Sequence, residues 1–355
     1  MSSFLEIKRE PTEKEDIVIT LSPQGETAPS ISARHLLTTL DQFLAEVAPT
    51  VKDETAAGYA MRFIPFRQWW ETTGPPHYVL TSTSLGEFRR WLETDYRDTN
   101  NRSPSQSTVR TVIARLRRFL RWLHKTGRLP IDLAEWLPLP PKPKHKRRFL
   151  DQEQCQALID AVPPGPLRFR DWAMIAFLLE TGARRFEAAE ALWDETVIDP
   201  QTFLGYTHLR KVKFDSEGKG LGRVVVFGPT TGRALHQHRL FLQLTGQTDA
   251  AGRVFGMSNT AIKMRFRKLS ERTGFEVGPH DLRRTFSDWW WEHNSNDERA
   301  MVLLKLQLGH SIGEDVTLKH YINLDNTPRL IKMLHASYTS PAQPLRWPGV
   351  GDLNS

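Results

Sequence analysis

Leu36, Leu37, Leu40, Phe43, Leu44 and Val47 recur at the three- and four-residue spacing that gathers apolar side chains on one side of a helix. Phe88, Trp91 and Leu92 give part of a second such face. In STVRTVIARLRRFLRWLHKTGRLP the same rule continues, with Val109, Ile113, Leu116, Leu120 and Leu123 stepping by four and three along a buried stripe. Residues 31–137 therefore predict an all-α bundle. Residues 1–30 show neither helical nor alternating periodicity and read as a flexible arm.

Past residue 148 the pattern mixes. Helices are expected over 151–162 and 170–181, strands over 206–213 and 223–227 around a glycine-rich turn, and helices again beyond. The fold class is mainly α with a small β-sheet or hairpin in the second domain. Between the halves lies LPLPPKPKHKRRFL, whose four prolines forbid helix and hold the chain extended. The expected layout is an arm at 1–30, a helical domain at 31–137, a basic proline-rich linker at 138–148, a second domain at 149–325 and a tail at 326–355.

Charge sharpens this picture. The 355 residues carry a formal net charge of +7, an excess that favours nucleic acid or another acidic partner over a neutral metabolite. From Arg102 to Arg148 there are thirteen Lys or Arg against two acids, Asp132 and Glu135. A solvated helix face normally mixes both signs, so Arg110, Arg117, Arg121 and Arg128, which step by seven, four and seven, point to phosphate. Lys142, Lys144, Lys146, Arg147 and Arg148 make the linker a candidate strap along a DNA backbone. The single cysteine, Cys155, excludes a disulfide framework. MSSFLEIKREPTEKED lacks the apolar core of a signal peptide, and the longest apolar run is Ala173–Leu179. A cytoplasmic, nucleoid-associated protein with no membrane partner is expected.

Four pieces stand out: TGARRFE (181–187), SEGKGLGRVVVFG (216–228), PHDLRRTF (279–286) and LGHSIGEDVTLKHY (308–321). Each alone is weak, because an Arg-Arg pair is usually surface and a GKG is usually a turn. Together and in this order they resemble the catalytic domain of the tyrosine recombinases, the phage-integrase family. That family's pattern is T-G-x-R-x-x-E, a lysine in a β-hairpin, H-x-x-R, L-G-H and a following tyrosine. Upstream, the helical bundle and basic linker look like the family's SAM-like core-binding domain.

The resemblance implies Arg184, Lys219, His280, Arg283, His310 and Tyr321 as catalytic residues and Glu187 as a site-orienting one. The chemistry is consistent with it. Cutting a DNA strand without metal needs a nucleophile, neutralisation of a phosphorane and a proton for the leaving oxygen. Tyr321 suits the first, as a 3′-phosphotyrosyl intermediate. Arg184 and Arg283 suit the second, since guanidinium forks match two phosphate oxygens and keep their charge. His280 and His310 can bond the same phosphate and relay a proton, and Lys219 is the candidate acid. Neighbours on a helix point about 100° apart, so Arg283 and Arg284 cannot both enter one site, and the family's motif spacing implies Arg283 rather than Arg284, and Arg184 rather than Arg185. Lys211 and Lys213 can reach the same place as Lys219, which is preferred because it sits in the turn four residues before Arg223. Tyr338 is the only later tyrosine and lies in the tail.

Implied with the family are a two-domain C-shaped clamp and a homotetramer, with or without a related recombinase or accessory protein. The implied substrate is double-stranded DNA bearing inverted-repeat core sites, recombined through a Holliday junction for integration, excision, transposition or resolution, as in a mobile element. No cofactor and no metal are implied. Type IB topoisomerase-like relaxation and a catalytically inactive DNA-binding regulator on the same fold are the rival readings. Leu330, Ile331 and Leu334 suggest a short amphipathic helix able to dock on a neighbouring subunit, which favours an assembling recombinase. His236 and His238 in HQH do not share a helix face and have no carboxylate cluster beside them, so they are not read as metal ligands. Trp289–Trp291 must spread around a helix, which places one or two in core and leaves another for an interface.

Overall fold

The computed structural model describes residues 20–21, 27–28, 33–47, 53–73, 80–143, 148–210, 222–247, 251–309, 327–336, 338, 342 and 345–347. The chain divides into two compact units, Met1–His145 and Lys146–Ser355. Within the stretch read as an arm, β1 (Thr20–Leu21) pairs antiparallel with β2 (Thr27–Ala28), a short hairpin too brief for any periodicity to announce. The rest of that stretch lies outside the described residues.

The first unit contains α1 (Ala33–Val47), α2 (Asp53–Thr73), α3 (Ser82–Thr94) and α4 (Gln106–Lys125), followed by a 3-10 turn at Leu133–Trp136. Starts are set by side chains. Thr81 Oγ1 accepts from the Ser84 amide while Ser84 Oγ accepts from the Thr81 amide, and Ser105 caps α4 through the Thr108 amide. Phe43, Phe63, Phe66, Trp69, Phe88 and Phe119 are all buried to 1% exposure or less, with Phe66 and Phe88 edge to face at 5.2 Å. The Trp69–Trp70 pair is therefore core.

The arginine row on α4 divides by task. Arg110 donates to the Pro140 carbonyl, and Arg117 donates to the carbonyls of Ala134 (2.6 Å) and Leu137. These two guanidiniums are committed to the chain's own backbone and tie the start of the proline-rich stretch to α4. A carbonyl that lost its strand or helix partner is a good acceptor for a nearby cation, which a count of charges does not see. Arg121 lies 3.8 Å from Asp132, and Arg128 stacks on Trp122 at 4.4 Å. Lys142 and Arg148 are exposed, and Arg148 pairs with Glu276 at 2.7 Å. Lys144, Lys146 and Arg147 lie outside the described residues.

The second unit runs α5 (Gln152–Asp160), α6 (Arg168–Thr181), α7 (Arg185–Ala189), β3 (Thr196–Ile198), β4 (Gly205–Leu209), β5 (Arg223–Phe227), α8 (Pro229–Thr245), α9 (Asn259–Thr273), α10 (Pro279–Asn294), α11 (Glu298–Leu308) and α12 (Thr327–Ala336). The sheet is antiparallel in the order β3-β4-β5, with Val197 opposite Tyr206 and Thr207 opposite Val225. α6 is the axis of this unit, buried continuously from Asp171 to Thr181. At its end Glu180 turns its Oε2 to the amides of Gly228 and Thr231, both at 3.1 Å, so a buried carboxylate serves the N-terminus of α8.

α12 packs on its own unit. Leu334 is fully buried in a cluster with Val226, Phe286, Trp290, Leu303 and Leu308, and Tyr338 donates to the Glu180 carbonyl at 3.0 Å. Gln307 on α11 is fully buried; its Oε1 accepts from the Val226 amide (3.1 Å) and its Nε2 donates to the carbonyls of Val226 (2.8 Å) and Thr181 (3.4 Å). Of the tryptophan run, Trp290 is core and donates to the Ala300 carbonyl at 3.0 Å, whereas Trp291 is 56% exposed and Trp289 stacks on His293. His238 is core as well: Nε2 meets the Val254 carbonyl at 3.0 Å, and burial pushes its imidazole down to about 4. Among the described residues no cluster suited to a metal ion occurs, and no helix is long and apolar enough to cross a membrane.

Candidate active site

Two glycines turn the chain at the centre of the second unit. α6 ends on Gly182 (φ 60°) and α11 ends on Gly309 (φ 62°), both left-handed caps that favour glycine. Space forbids a side chain at either place. A Cβ on Gly182 would stand 2.7 Å from the Phe286 ring, and one on Gly309 would stand 2.6 Å from Arg223 Cδ. The helix ends therefore come close, and their last carbonyls face a common volume.

Arg283, on the second turn of α10, fills it. Its Nη1 donates to the Gly182 carbonyl at 2.6 Å and its Nη2 to the Leu308 carbonyl at 2.7 Å, with the residue only 5% exposed. Burial, and then the like charges of Arg184 and Arg223, push its guanidinium down to about 9, which leaves it charged at neutral pH.

Arg184 stands at the start of α7, where its extended backbone lets the Glu187 carboxylate fold back onto its amide at 2.7 Å. The same carboxylate takes Arg184 Nη1 at 2.9 Å, and Arg184 Nη2 lies 3.4 Å from the Gly309 carbonyl. Arg185 points away to Asn259 Oδ1 at 2.6 Å. Arg283 and Arg184 thus meet over adjacent carbonyls, those of Leu308 and Gly309.

Glu187 is fully buried and serves a second cation. Arg223, at the start of β5, donates from Nη2 to Glu187 Oε2 at 2.5 Å and from Nε to Oε1 at 3.4 Å. Burial alone raises a carboxyl, but Arg223 and Arg184 outweigh it and hold Glu187 below the usual carboxylate range. Sequence reading treated Arg223 only as the residue that opens a strand. The available signal was its place as the first residue of the strand that follows the GKG turn.

His280 sits on the first turn of α10, exposed, where Asp281 Oδ2 accepts from the Gly278 amide at 2.9 Å. Local burial, then Arg284, Arg283 and Arg184, lower its imidazole against the opposing pull of Asp281. Arg284 turns to Asp281 at 3.2 Å and does not join Arg283. Lys219, with Lys211 and Lys213, and His310 and Tyr321 lie outside the described residues. His310 follows Gly309 directly in the chain.

The described cluster brings together three guanidiniums, one carboxylate and an exposed imidazole, an excess of positive charge suited to an anion whose oxygens accept forked contacts. The sequence model of the Phage integrase family matches residues 148–327. The chain is 28% identical over 233 residues to the tyrosine recombinase XerC of Xylella fastidiosa (strain M23), covering 64% of this chain and 73% of that protein. To XerC of Haemophilus influenzae (strain ATCC 51907 / DSM 11121 / KW20 / Rd) it is 27% identical over 229 residues, 63% and 73% of the two chains. In fold it is similar to a lambda integrase dimer bound to a COC′ core site (TM-score 0.57, 16% identity, 84% of this chain and 79% of that one). It is also similar to XerH bound to palindromic difH substrate in a post-cleavage complex (TM-score 0.54, 15% identity, 79% and 78%). With the family match spanning just over half of its residues and taking in Arg184, Glu187, His280, Arg283 and Leu308–Gly309–His310, the chain belongs to the phage integrase family, the tyrosine recombinases.

Proposed function

We propose that the protein is a site-specific DNA recombinase that cuts and rejoins strands through a 3′-phosphotyrosyl bond to Tyr321. The observation that carries this reading is the convergence of Arg184 and Arg283 over the carbonyls of Leu308 and Gly309, immediately before His310. Two forks held side by side can each take a non-bridging oxygen of one phosphodiester and gain strength as charge develops on the phosphorane. In this reading Tyr321 attacks phosphorus and the 5′ oxygen leaves with a proton from Lys219. The bond energy stays in the protein–DNA ester, so rejoining needs no high-energy cofactor.

His280, neutral near pH 7, hydrogen-bonds the phosphate and can take the phenolic proton. Glu187 orients Arg184. The helical unit and the basic linker residues complete a clamp on duplex DNA, and four copies act on two sites through a Holliday junction.

The test is a covalent adduct. DNA recovered from denatured complexes of the wild-type protein supplies the site, which is then built as a nicked duplex that cannot religate. Wild type should accumulate protein–DNA adduct in EDTA, and Tyr321→Phe should bind the same duplex and trap none. An adduct with Tyr321→Phe, or a strict Mg²⁺ requirement for cleavage, would overturn the mechanism.

A further inference from the structure

Arg223 is the one cation of the cluster to which the proposed chemistry gives no task. Its side chain is 9% exposed, and Nη1 is buried with no hydrogen-bond partner among the described residues. A guanidinium hydrogen shut away from water without an acceptor is unfavourable, so something must compensate for burying it there. The compensation visible in the structure is Glu187. That carboxylate is shared unequally: Oε1 takes Arg184 Nη1 at 2.9 Å and only a long contact from Arg223 Nε at 3.4 Å, whereas Oε2 takes Arg223 Nη2 at 2.5 Å together with the Arg184 amide at 2.7 Å.

The division matters for Arg184. Arginine and a carboxylate three positions apart readily close a two-pronged pair, and a fork so closed has fewer donors left for a phosphate. Here the second prong is taken. Arg184 therefore gives Glu187 a single nitrogen and keeps Nη2 at long range, 3.4 Å, from the Gly309 carbonyl. Burial lowers the Arg223 guanidinium and Glu187 opposes that fall, as expected for a cation kept in place by this one anion.

We propose that Arg223 is a positioning residue of the phosphate site: by occupying Oε2 of Glu187 it prevents Arg184 from closing onto that carboxylate and leaves the Arg184 fork open for a phosphate oxygen. The inference rests on the reading of Arg184 as a phosphate ligand. Its backing is geometric, since Arg223 is locked from the other side by Gly309, where no Cβ fits beside its Cδ.

A rescue experiment on the full-length chain separates this role from a merely structural one. Arg223→Met should slow single-turnover cleavage of the nicked duplex by about 10²-fold while binding of that duplex stays within about threefold, because the lost effect is on transition-state charge. Adding Glu187→Gln removes the anion onto which Arg184 would collapse. The glutamine oxygen still caps the Arg184 amide, so the double variant should recover at least about tenfold of the lost rate. Arg223→Lys, which keeps a cation for Oε2, should cleave within about tenfold of wild type and serves if Arg223→Met fails to fold. A double variant as slow as Arg223→Met, or a lysine variant as slow as methionine, would overturn the proposal.

A second readout does not depend on DNA cleavage. Inorganic phosphate should raise the thermal midpoint of wild type and of the double variant, and raise that of Arg223→Met much less. If wild type forms no DNA adduct yet this pattern holds, the recombinase reading falls and the role of Arg223 stands. If wild type forms adduct and Arg223→Met matches it in both assays, Arg223 has no such role and the recombinase reading stands.

Discussion

The Arg283 guanidinium donates from Nη2 to the Leu308 carbonyl at 2.7 Å, so a buried charge on α10 is held by the last carbonyl of α11. Its other prong holds the end of α6 through Gly182. One side chain therefore ties three helices together at the place where a phosphate is proposed to bind.

Arg283→Lys tests both duties. Lysine keeps the charge but cannot span two carbonyls, and a buried carbonyl left unpaired costs on the order of 1–3 kcal/mol. A fall of that size is expected in the denaturant midpoint with an unchanged slope, and cleavage should slow by about 10²–10³-fold. Wild-type stability in this variant would show that the two carbonyl contacts contribute nothing.

Gly309→Ala should be costly where Gly127→Ala is cheap. Both have positive φ, 62° and 71°, and share a backbone penalty of about 1 kcal/mol. At Gly127 nothing lies within 4 Å of the new methyl, whereas at Gly309 it meets Arg223 Cδ at 2.6 Å. The Gly309 variant should therefore be less stable than the Gly127 variant by a further ~1–3 kcal/mol, measured by thermal melting. Equal losses would place Arg223 elsewhere.

His280 should set an acidic limit to cleavage below its ordinary range. Its imidazole is lowered, so it is neutral at pH 7 and takes up a proton only as pH falls past that lowered value. Arg284→Gln removes a like charge and frees Asp281, both of which favour the charged imidazole. The acidic limb of the rate profile, and the His280 proton titration by NMR, should both move to higher pH. A shift to lower pH would contradict the electrostatic assignment.

The tryptophan run yields a stability contrast between neighbours. Trp290 is fully buried and satisfied at its indole N–H, and Trp290→Ala should cost about 3–5 kcal/mol. Trp291 is 56% exposed, and Trp291→Ala should change stability by at most about 0.5 kcal/mol. Urea unfolding of the two variants checks this.

What could be read ahead of the structure was local. The one-turn spacing of His280 and Arg283 and the Gly-Pro start of α10 follow from helix geometry within a few residues, whereas the choice of Arg184 over Arg185 comes from the motif that the chain shares with its family. β3 has only three residues, too few for alternation to register. Arg223 reaches Glu187 across 36 positions, and Gln307 reaches Val226 across 81, so neither partnership leaves a mark in a window of sequence. Arg110 and Arg117 show the converse. Their one-sided charge suggests phosphate, yet each has carbonyls of its own chain within reach, brought there by the turn after α4. Charge patterning reports an electrostatic need and leaves open which oxygen meets it.

The Gln307 amide has a last consequence. β5 is an edge strand, and the centre of such a strand normally offers an amide and a carbonyl to any extended peptide that comes alongside. At Val226 both groups are already taken by one buried glutamine side chain. The sheet is thereby closed at mid-strand without a fourth strand, and a foreign peptide could add there only by evicting an amide shut away from solvent. On the β5 side of the sheet, edge-to-edge pairing is thereby blocked at Val226 by a single amide side chain.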